Sequence, residues 1–145
     1  MSEVNPPPGV VLDTCALIWF AGGDRMIRGA IDAIANAELG GGVYISPVSA
    51  WEIGMIHKMK GGRLMRFQPD PKSWFLKVLG APSFKLAPLS PEMAIDASYL
   101  PQPLHGDPAD RLLIATARHL GLPLVTRDSK ILAYAELGHV QAIPC

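Results

Sequence analysis

Val10-Val11-Leu12-Asp13, in which three apolar residues are followed at once by a carboxylate, is the strongest indication of the fold class. An unbroken apolar run of this kind is typical of a strand that is buried on both faces of a sheet. Similar short runs occur at Val43-Tyr44-Ile45 and Leu124-Val125-Thr126. The sequence therefore predicts several short buried strands.

Apolar residues at helical spacing occupy the segments between these strands. Helices are predicted within 16–39, as two helices or one broken near Gly22-Gly23, and at 46–59 before Gly61-Gly62, 71–79, 90–99 and 107–120. Weaker strand patterns lie at 84–87 and 140–143. Strands that alternate with helices predict an α/β fold with a mainly parallel sheet of four to five strands, covered by helices on both faces.

The length and composition bound the organisation of the chain. Its 145 residues fit a single domain over 10–145, preceded by a stiff or disordered leader at 1–9 that contains Pro6-Pro7-Pro8-Gly9. The chain has 13 basic and 13 acidic residues, so it lacks the global charge signature of a nucleic-acid binder. Any contact with nucleic acid must therefore be local.

Neither the cysteines nor the hydropathy suggests export. Cys15 and Cys145 are too few to form the disulfide framework of a small secreted domain. The amino terminus lacks the pattern of a signal peptide, and no apolar run approaches the ~20 residues that span a bilayer. We expect a soluble, cytoplasmic protein with no membrane partner.

Five acidic residues occur where strands end or on apolar helical stretches: Asp13, Glu52, Asp107, Asp110 and Asp128. In an open parallel sheet, ligands bind outside the carboxyl ends of the strands. Glu52 is the most informative, since its helical neighbours include Met55 and Ile56 and place it on a mostly apolar face. A carboxylate buried there without a partner would cost several kcal/mol, so it should find a cation, accept hydrogen bonds or stay protonated.

Each acid also has a purely structural explanation. Asp13 could cap a helix or form a turn, and Glu52 could pair with a lysine or arginine. Asp107 precedes Pro108 as a helix cap that would accept the amide of residue 109 or 110. Asp110 lies in the first helical turn, where the helix dipole favours a negative charge, and Asp128 could cap the helix that begins at Ser129.

If all of these explanations held, four carboxylates would repel each other at one end of the sheet. A bound divalent cation would remove that repulsion. The four histidines are scattered, so the ligands would be oxygen atoms, which favour Mg²⁺ or Mn²⁺ over zinc. Such a site points to metal-assisted hydrolysis of a phosphodiester.

Four stretches taken together carry a family resemblance. They are Val-Leu-Asp-Thr-Cys-Ala-Leu-Ile-Trp at 11–19, Ile-Ser-Pro-Val-Ser-Ala-Trp-Glu-Ile at 45–53, Gly-Asp-Pro-Ala-Asp-Arg-Leu-Leu-Ile-Ala-Thr-Ala at 106–117 and Leu-Val-Thr-Arg-Asp at 124–128. In this order they resemble the PIN-domain ribonucleases, and specifically the VapC-type toxins of bacterial toxin–antitoxin pairs. The resemblance implies a three-layer α/β/α fold whose first and fourth strands are adjacent.

The resemblance also implies the roles of individual residues. It makes Asp13, Glu52, Asp110 and Asp128 an acidic quartet around Mg²⁺ or Mn²⁺. Asp110, rather than Asp107, stands at the spacing of the family acid, which leaves Asp107 accessory or a helix cap. Thr14 and Thr126 would orient carboxylates through their hydroxyl groups. The implied activity is hydrolysis of RNA to products with a 5′-phosphate and a 3′-hydroxyl.

Partners follow partly from the residues and partly from the resemblance. Lys58, Lys60, Arg63 and Arg66 follow Glu52 as a local basic patch that could contact RNA, although an ordinary solvated helix end would look the same. The resemblance implies a homodimer and a cognate VapB-like antitoxin.

Three other functions fit parts of the pattern. Phosphatases of the haloacid-dehalogenase type need a second acid two residues after the first, where this chain has Cys15. Receiver-like signalling domains need paired acids after the first strand, which Asp13-Thr14-Cys15 does not supply. A PIN-fold module that only binds RNA or an antitoxin remains an alternative, and the intact set of four acids argues against it.

Overall fold

The computed structural model describes residues 8–60 and 66–145. The strands of its central sheet are β1 (Val10–Leu12), β2 (Val43–Ile45), β3 (Phe84–Leu86), β4 (Leu124–Thr126) and β5 (Ala142–Pro144). They lie in the order β3-β2-β1-β4-β5, and all four pairings are parallel. In the described parts of the chain the sheet has five strands, within the four to five predicted, although the last begins two residues later than the sequence pattern suggested.

Within residues 8–60 and 66–145, seven helices connect these strands. They are α1 (Thr14–Gly22), α2 (Arg28–Glu38), α3 (Pro47–Met59), α4 (Pro71–Leu79), α5 (Pro91–Ser98), α6 (Pro108–Leu120) and α7 (Ser129–Glu136). The segment 16–39 therefore contains two helices, because Gly23 adopts a left-handed φ of 71° and ends α1. The predicted stop at Gly61 and Gly62 lies outside the described residues.

Each face of the sheet is covered by its own hydrophobic core. Side chains alternate along β1, so that Leu12 joins one core and Val11 the other. The first core includes Leu17, Ile34, Ile45 and Ile53 from α1, α2, β2 and α3. The second includes Leu113, Ile114, Leu124 and Ile131 from α6, β4 and α7. This arrangement confirms the three-layer α/β/α fold.

The strand order creates a switch point between β1 and β4. The chain runs from β1 outward to β2 and β3, then returns to β4 on the other side of β1. Leu12 pairs with Val125, and the backbone N–H of Asp13 donates to the carbonyl of Val125 at 3.1 Å. The residues that follow β1 and β4 therefore meet at one end of the sheet, where open α/β sheets bind ligands.

None of the helices in the described parts of the chain combines the length and the apolar character needed to cross a bilayer.

Candidate metal centre

The four acids of the predicted quartet line one pocket of about 270 Å³ at the switch point. Asp13 follows β1, Glu52 lies on α3, Asp110 on α6, and Asp128 follows β4. The pocket is completed by Thr14, Cys15, Trp19, Leu113 and Arg127. A larger cavity of about 900 Å³ lies near the amino ends of β4 and β5, but none of the four acids lines it.

Asp13 is the most buried of these acids, with 7% of its surface exposed. Its Oδ1 accepts a hydrogen bond from the backbone N–H of Ala16 at 2.7 Å, so it caps α1 as the structural explanation expected. Its Oδ2 accepts from the Thr126 hydroxyl at 2.5 Å. Burial raises the pKa of Asp13 to about 6, and the charges of Asp110 and Glu52 add to the rise. The two hydrogen bonds lower the pKa and offset only part of this rise.

Glu52 is half-buried and is held by a hydroxyl group. Its Oε1 accepts from the Thr14 Oγ1 at 2.5 Å, and that hydroxyl lies 2.9 Å from the hydroxyl of Ser49. Burial raises the pKa of Glu52, and the charges of Asp110 and Asp107 raise it further. Among the described residues, the ion pairs formed by lysine or arginine engage other acids, so Glu52 lacks the salt bridge considered from the sequence.

The two acids that open α6 have different environments. Asp107 is exposed and caps the helix by accepting the backbone N–H of Asp110 at 3.0 Å, one of the two amides expected from the sequence. It does not line the pocket. Asp110 does line it, and its Oδ2 lies 2.8 Å from the Nε2 of His105. Burial is the main cause that raises the pKa of Asp110.

Asp128 combines a helix cap with a position in the pocket. Its Oδ1 accepts the backbone N–H groups of Lys130 and Ile131 at 2.8 and 3.1 Å. Its own N–H donates to the Thr126 hydroxyl at 3.1 Å, and that hydroxyl in turn donates to Asp13. Thr126 therefore links the two acids that follow the adjacent strands β1 and β4.

Arg127 is a basic side chain that lines the pocket, and the patch predicted from the sequence does not include it. The guanidinium of Arg127 lies 3.7 Å from the centroid of the Trp19 ring, and its Nε donates to the carbonyl of Cys145 at 2.9 Å. The sequence offered no signal beyond the position of Arg127 beside Asp128, since the contact joins residues far apart in the chain.

The described residues of the predicted basic patch do not line this pocket. Lys58 and Lys60 are exposed at the end of α3, and Arg66 donates to Asp24 at 2.5 Å. Arg63 lies outside the described residues. A role of these residues in RNA binding stays a prediction.

The contact of His105 with Asp110 was also not predicted from the sequence. The sequence shows only that no histidine has metal-ligand spacing, which says nothing about a histidine that contacts an acidic side chain.

The donor set of the pocket fits a hard divalent cation. All four acids offer carboxylate oxygens, and burial raises the pKa of three of them, a cost that a nearby positive charge would offset. Across residues 8–60 and 66–145, no group of three or more His, Cys, Asp or Glu side chains is close enough to enclose a metal directly. A cation in this pocket would therefore keep waters between itself and some of the carboxylates, as Mg²⁺ commonly does.

A family model for the PIN domain matches residues 10–137 of the chain. The chain belongs to the PIN-domain family. This PIN domain is 31% identical over 123 residues to the ribonuclease VapC22 of Mycobacterium tuberculosis, covering 84% of this chain and 88% of that protein. The comparison confirms the resemblance to VapC-type members that the four sequence stretches indicated.

Solved structures agree with the fold. The VapBC2 complex of Rickettsia felis bound to promoter DNA matches with a TM-score of 0.68 at 12% identity, over 94% of this chain and 98% of that one. A toxin–antitoxin complex from Klebsiella pneumoniae matches with a TM-score of 0.58 at 22% identity, over 86% and 90% of the two chains. At these identities the matches establish the PIN fold.

Proposed function

We propose that this PIN domain is a divalent-metal-dependent endoribonuclease, with Mg²⁺ or Mn²⁺ as the metal, and the toxin of a toxin–antitoxin pair. The observation that carries the proposal is the convergence of Asp13, Glu52, Asp110 and Asp128 on one pocket at the switch point of the sheet. The similarity to a VapC ribonuclease supports RNA as the substrate.

Residues of this chain have separate roles in the proposed hydrolysis. The four carboxylates would hold the cation directly or through bridging waters, while Thr14 and Thr126 keep Glu52 and Asp13 in position through hydrogen bonds. When bound, the cation would offset negative charge on the phosphate and make a nearby water easier to deprotonate. One pocket carboxylate would accept a proton from that water.

The proposed reaction consumes one water for each bond. The water oxygen bonds to phosphorus, the bond from phosphorus to the 3′ oxygen breaks, and a proton passes to that oxygen. The products carry a 5′-phosphate and a 3′-hydroxyl.

Arg127 is proposed to contact a phosphate of the RNA. A pocket of four acids repels a polyanion, and Arg127 places a positive charge on its wall. Its stacking on Trp19 and its bond to the Cys145 carbonyl hold the guanidinium in place, which reduces the entropy lost on binding.

We also propose a VapB-like antitoxin, a homodimer and a cytoplasmic location. The antitoxin is supported by the structural relatives, which are described as VapBC and toxin–antitoxin complexes. The location is supported by the sequence, in which Cys15 and Cys145 are too few for the disulfide framework of a small secreted domain.

The test compares wild-type protein with D13N and D110N on RNA, with Mg²⁺ and with EDTA. Each substitution removes a carboxylate charge while keeping nearly the same shape. We expect wild-type cleavage to require Mg²⁺ and each variant to lose it, with folding and antitoxin binding retained. Undiminished cleavage by both variants would refute the metal site, and an inactive wild type that still binds RNA or antitoxin would favour a binding module.

A further inference from the structure

His105 is a histidine that contacts the candidate metal centre without lining it. Its Nε2 lies 2.8 Å from the Oδ2 of Asp110, and 16% of its side chain is exposed. Asp110 is repelled by Asp107 and Asp128, so a hydrogen-bond donor at this oxygen stabilises its charged form. His105 provides that donor from the segment that precedes α6.

The contact assigns a tautomer to the ring. Oδ2 of an ionised carboxylate can only accept, so Nε2 must carry the proton that is donated. The other ring nitrogen, Nδ1, is buried and has no hydrogen-bond partner among the residues that the structure describes. A bare Nδ1 is then an unpaired acceptor, which is less costly in a protein interior than an unpaired N–H donor.

The backbone of His105 is fixed by Arg111. The Nη1 of Arg111 donates to the carbonyl of His105 at 3.1 Å, and its Nε donates to the carbonyl of Ala97 at 2.9 Å. The segment before α6 is thereby tied to the end of α5. The position of the imidazole beside Asp110 is therefore set by α5 and α6, as is expected of a group that orients a metal ligand.

We propose that His105 is a positioning residue: it holds Oδ2 of Asp110 and leaves Oδ1 free for the cation. This inference rests on the proposed function of the pocket. Hydrogen-bond partners of metal ligands typically contribute about 10–100-fold to metal affinity or activity. Loss of His105 should therefore weaken Mg²⁺ binding even though the residue is not a ligand.

The test uses two substitutions and a matched control. H105Q keeps an N–H donor at a reach similar to that of Nε2, whereas H105L keeps much of the volume and removes the donor. H119L replaces an exposed histidine on the same helix as Asp110. Mg²⁺ binding is measured on RNA-free protein by calorimetry and by the metal-induced rise in melting temperature. RNA cleavage is then measured against Mg²⁺ concentration.

We expect H105L to need about 10–100-fold more Mg²⁺ in both experiments. Its KM for RNA at saturating Mg²⁺ should stay unchanged, H105Q should recover most of the affinity, and H119L should match wild type. Wild-type Mg²⁺ affinity in folded H105L would overturn the inference while leaving the proposed function intact. Equal losses in H105Q and H105L would also overturn it, because the donor would then not matter.

A measurement on the wild-type protein avoids any effect of substitution on folding. Nitrogen-15 NMR of the histidine side chains reports which ring nitrogen carries the proton. We expect the Nε2–H tautomer for His105, and an Nδ1–H tautomer would overturn the inference. Wild-type protein that shows this tautomer but neither binds Mg²⁺ nor cleaves RNA would instead refute the proposed function, and with it the positioning role.

Discussion

Replacing Asp13 by asparagine should stabilise the metal-free protein at neutral pH. The pKa of Asp13 rises from 3.8 to about 6 in the folded chain, mainly through burial. The folded state therefore binds this proton more tightly than the unfolded state, and stability falls as the pH rises from about 4 to 6. Above pH 6 the charged carboxylate costs about 3 kcal/mol, since each pKa unit corresponds to about 1.4 kcal/mol.

D13N removes this cost and keeps much of the local geometry. Asparagine caps helices as well as aspartate does, so its Oδ1 can still accept from the backbone N–H of Ala16. Its side-chain NH₂ group, however, would take the place of the Oδ2 atom that accepts the hydrogen bond from the Thr126 hydroxyl. We therefore expect a net gain of about 1–3 kcal/mol at pH 7.5, which is roughly 3–10 °C in melting temperature.

The assay is thermal and urea denaturation in EDTA at pH 7.5 and at pH 4. Most of the gain in D13N should disappear at pH 4, where Asp13 is protonated in the folded protein and somewhat less than half protonated in the unfolded chain. D96N, at an exposed position on α5, is the control and should change stability by less than about 0.5 kcal/mol at either pH. A D13N variant that is less stable than wild type at pH 7.5, or a gain that does not depend on pH, would refute the reasoning.

Three further substitutions separate the roles proposed for Arg127, Lys58 and Asp107. R127A should raise the KM for RNA by about tenfold or more, because it removes a hydrogen bond between charged groups. The Mg²⁺-induced rise in melting temperature should stay the same. An unchanged KM would exclude the phosphate contact. K58A in the same assay tests the basic patch predicted from the sequence. D107A should lower stability by about 1 kcal/mol through loss of the α6 cap while cleavage is retained, and a loss of cleavage equal to that of D110N would make Asp107 a functional acid.

The parts of the fold that could be predicted are those with strong local signals. The buried strands β1 and β4 can be recognised from the sequence as short apolar runs. The starts of α3 and α6 follow from Ser46-Pro47 and Asp107-Pro108, in which a capping residue precedes a proline. The last strand was placed less well because β5 is an edge strand whose side chains are only partly buried. Its apolar pattern is therefore weaker.

The alternatives weighed for the acids turned out to be compatible. Asp13 and Asp128 each cap a helix and also line the pocket. A carboxylate oxygen has more than one acceptor position, so a bond from a backbone amide leaves capacity for a further partner. Helix cap and metal ligand are therefore not exclusive roles for Asp13 and Asp128, because the geometry allows both.

The contacts of His105 and Arg127 could not have been predicted from the chain alone. His105 reaches Asp110 from an irregular segment, and Arg127 stacks on Trp19 from a different part of the sequence. Such contacts depend on how loops meet after the sheet has formed, and neither periodicity nor capping patterns report them.

Anomalous diffraction from crystals grown with Mn²⁺ would show whether a cation binds between the four acids. We expect a manganese peak in the pocket lined by Asp13, Glu52, Asp110 and Asp128, with direct or water-mediated contacts to their carboxylates, and no peak there in D13N crystals. A manganese ion bound elsewhere, with this pocket empty in crystals of active protein, would contradict it.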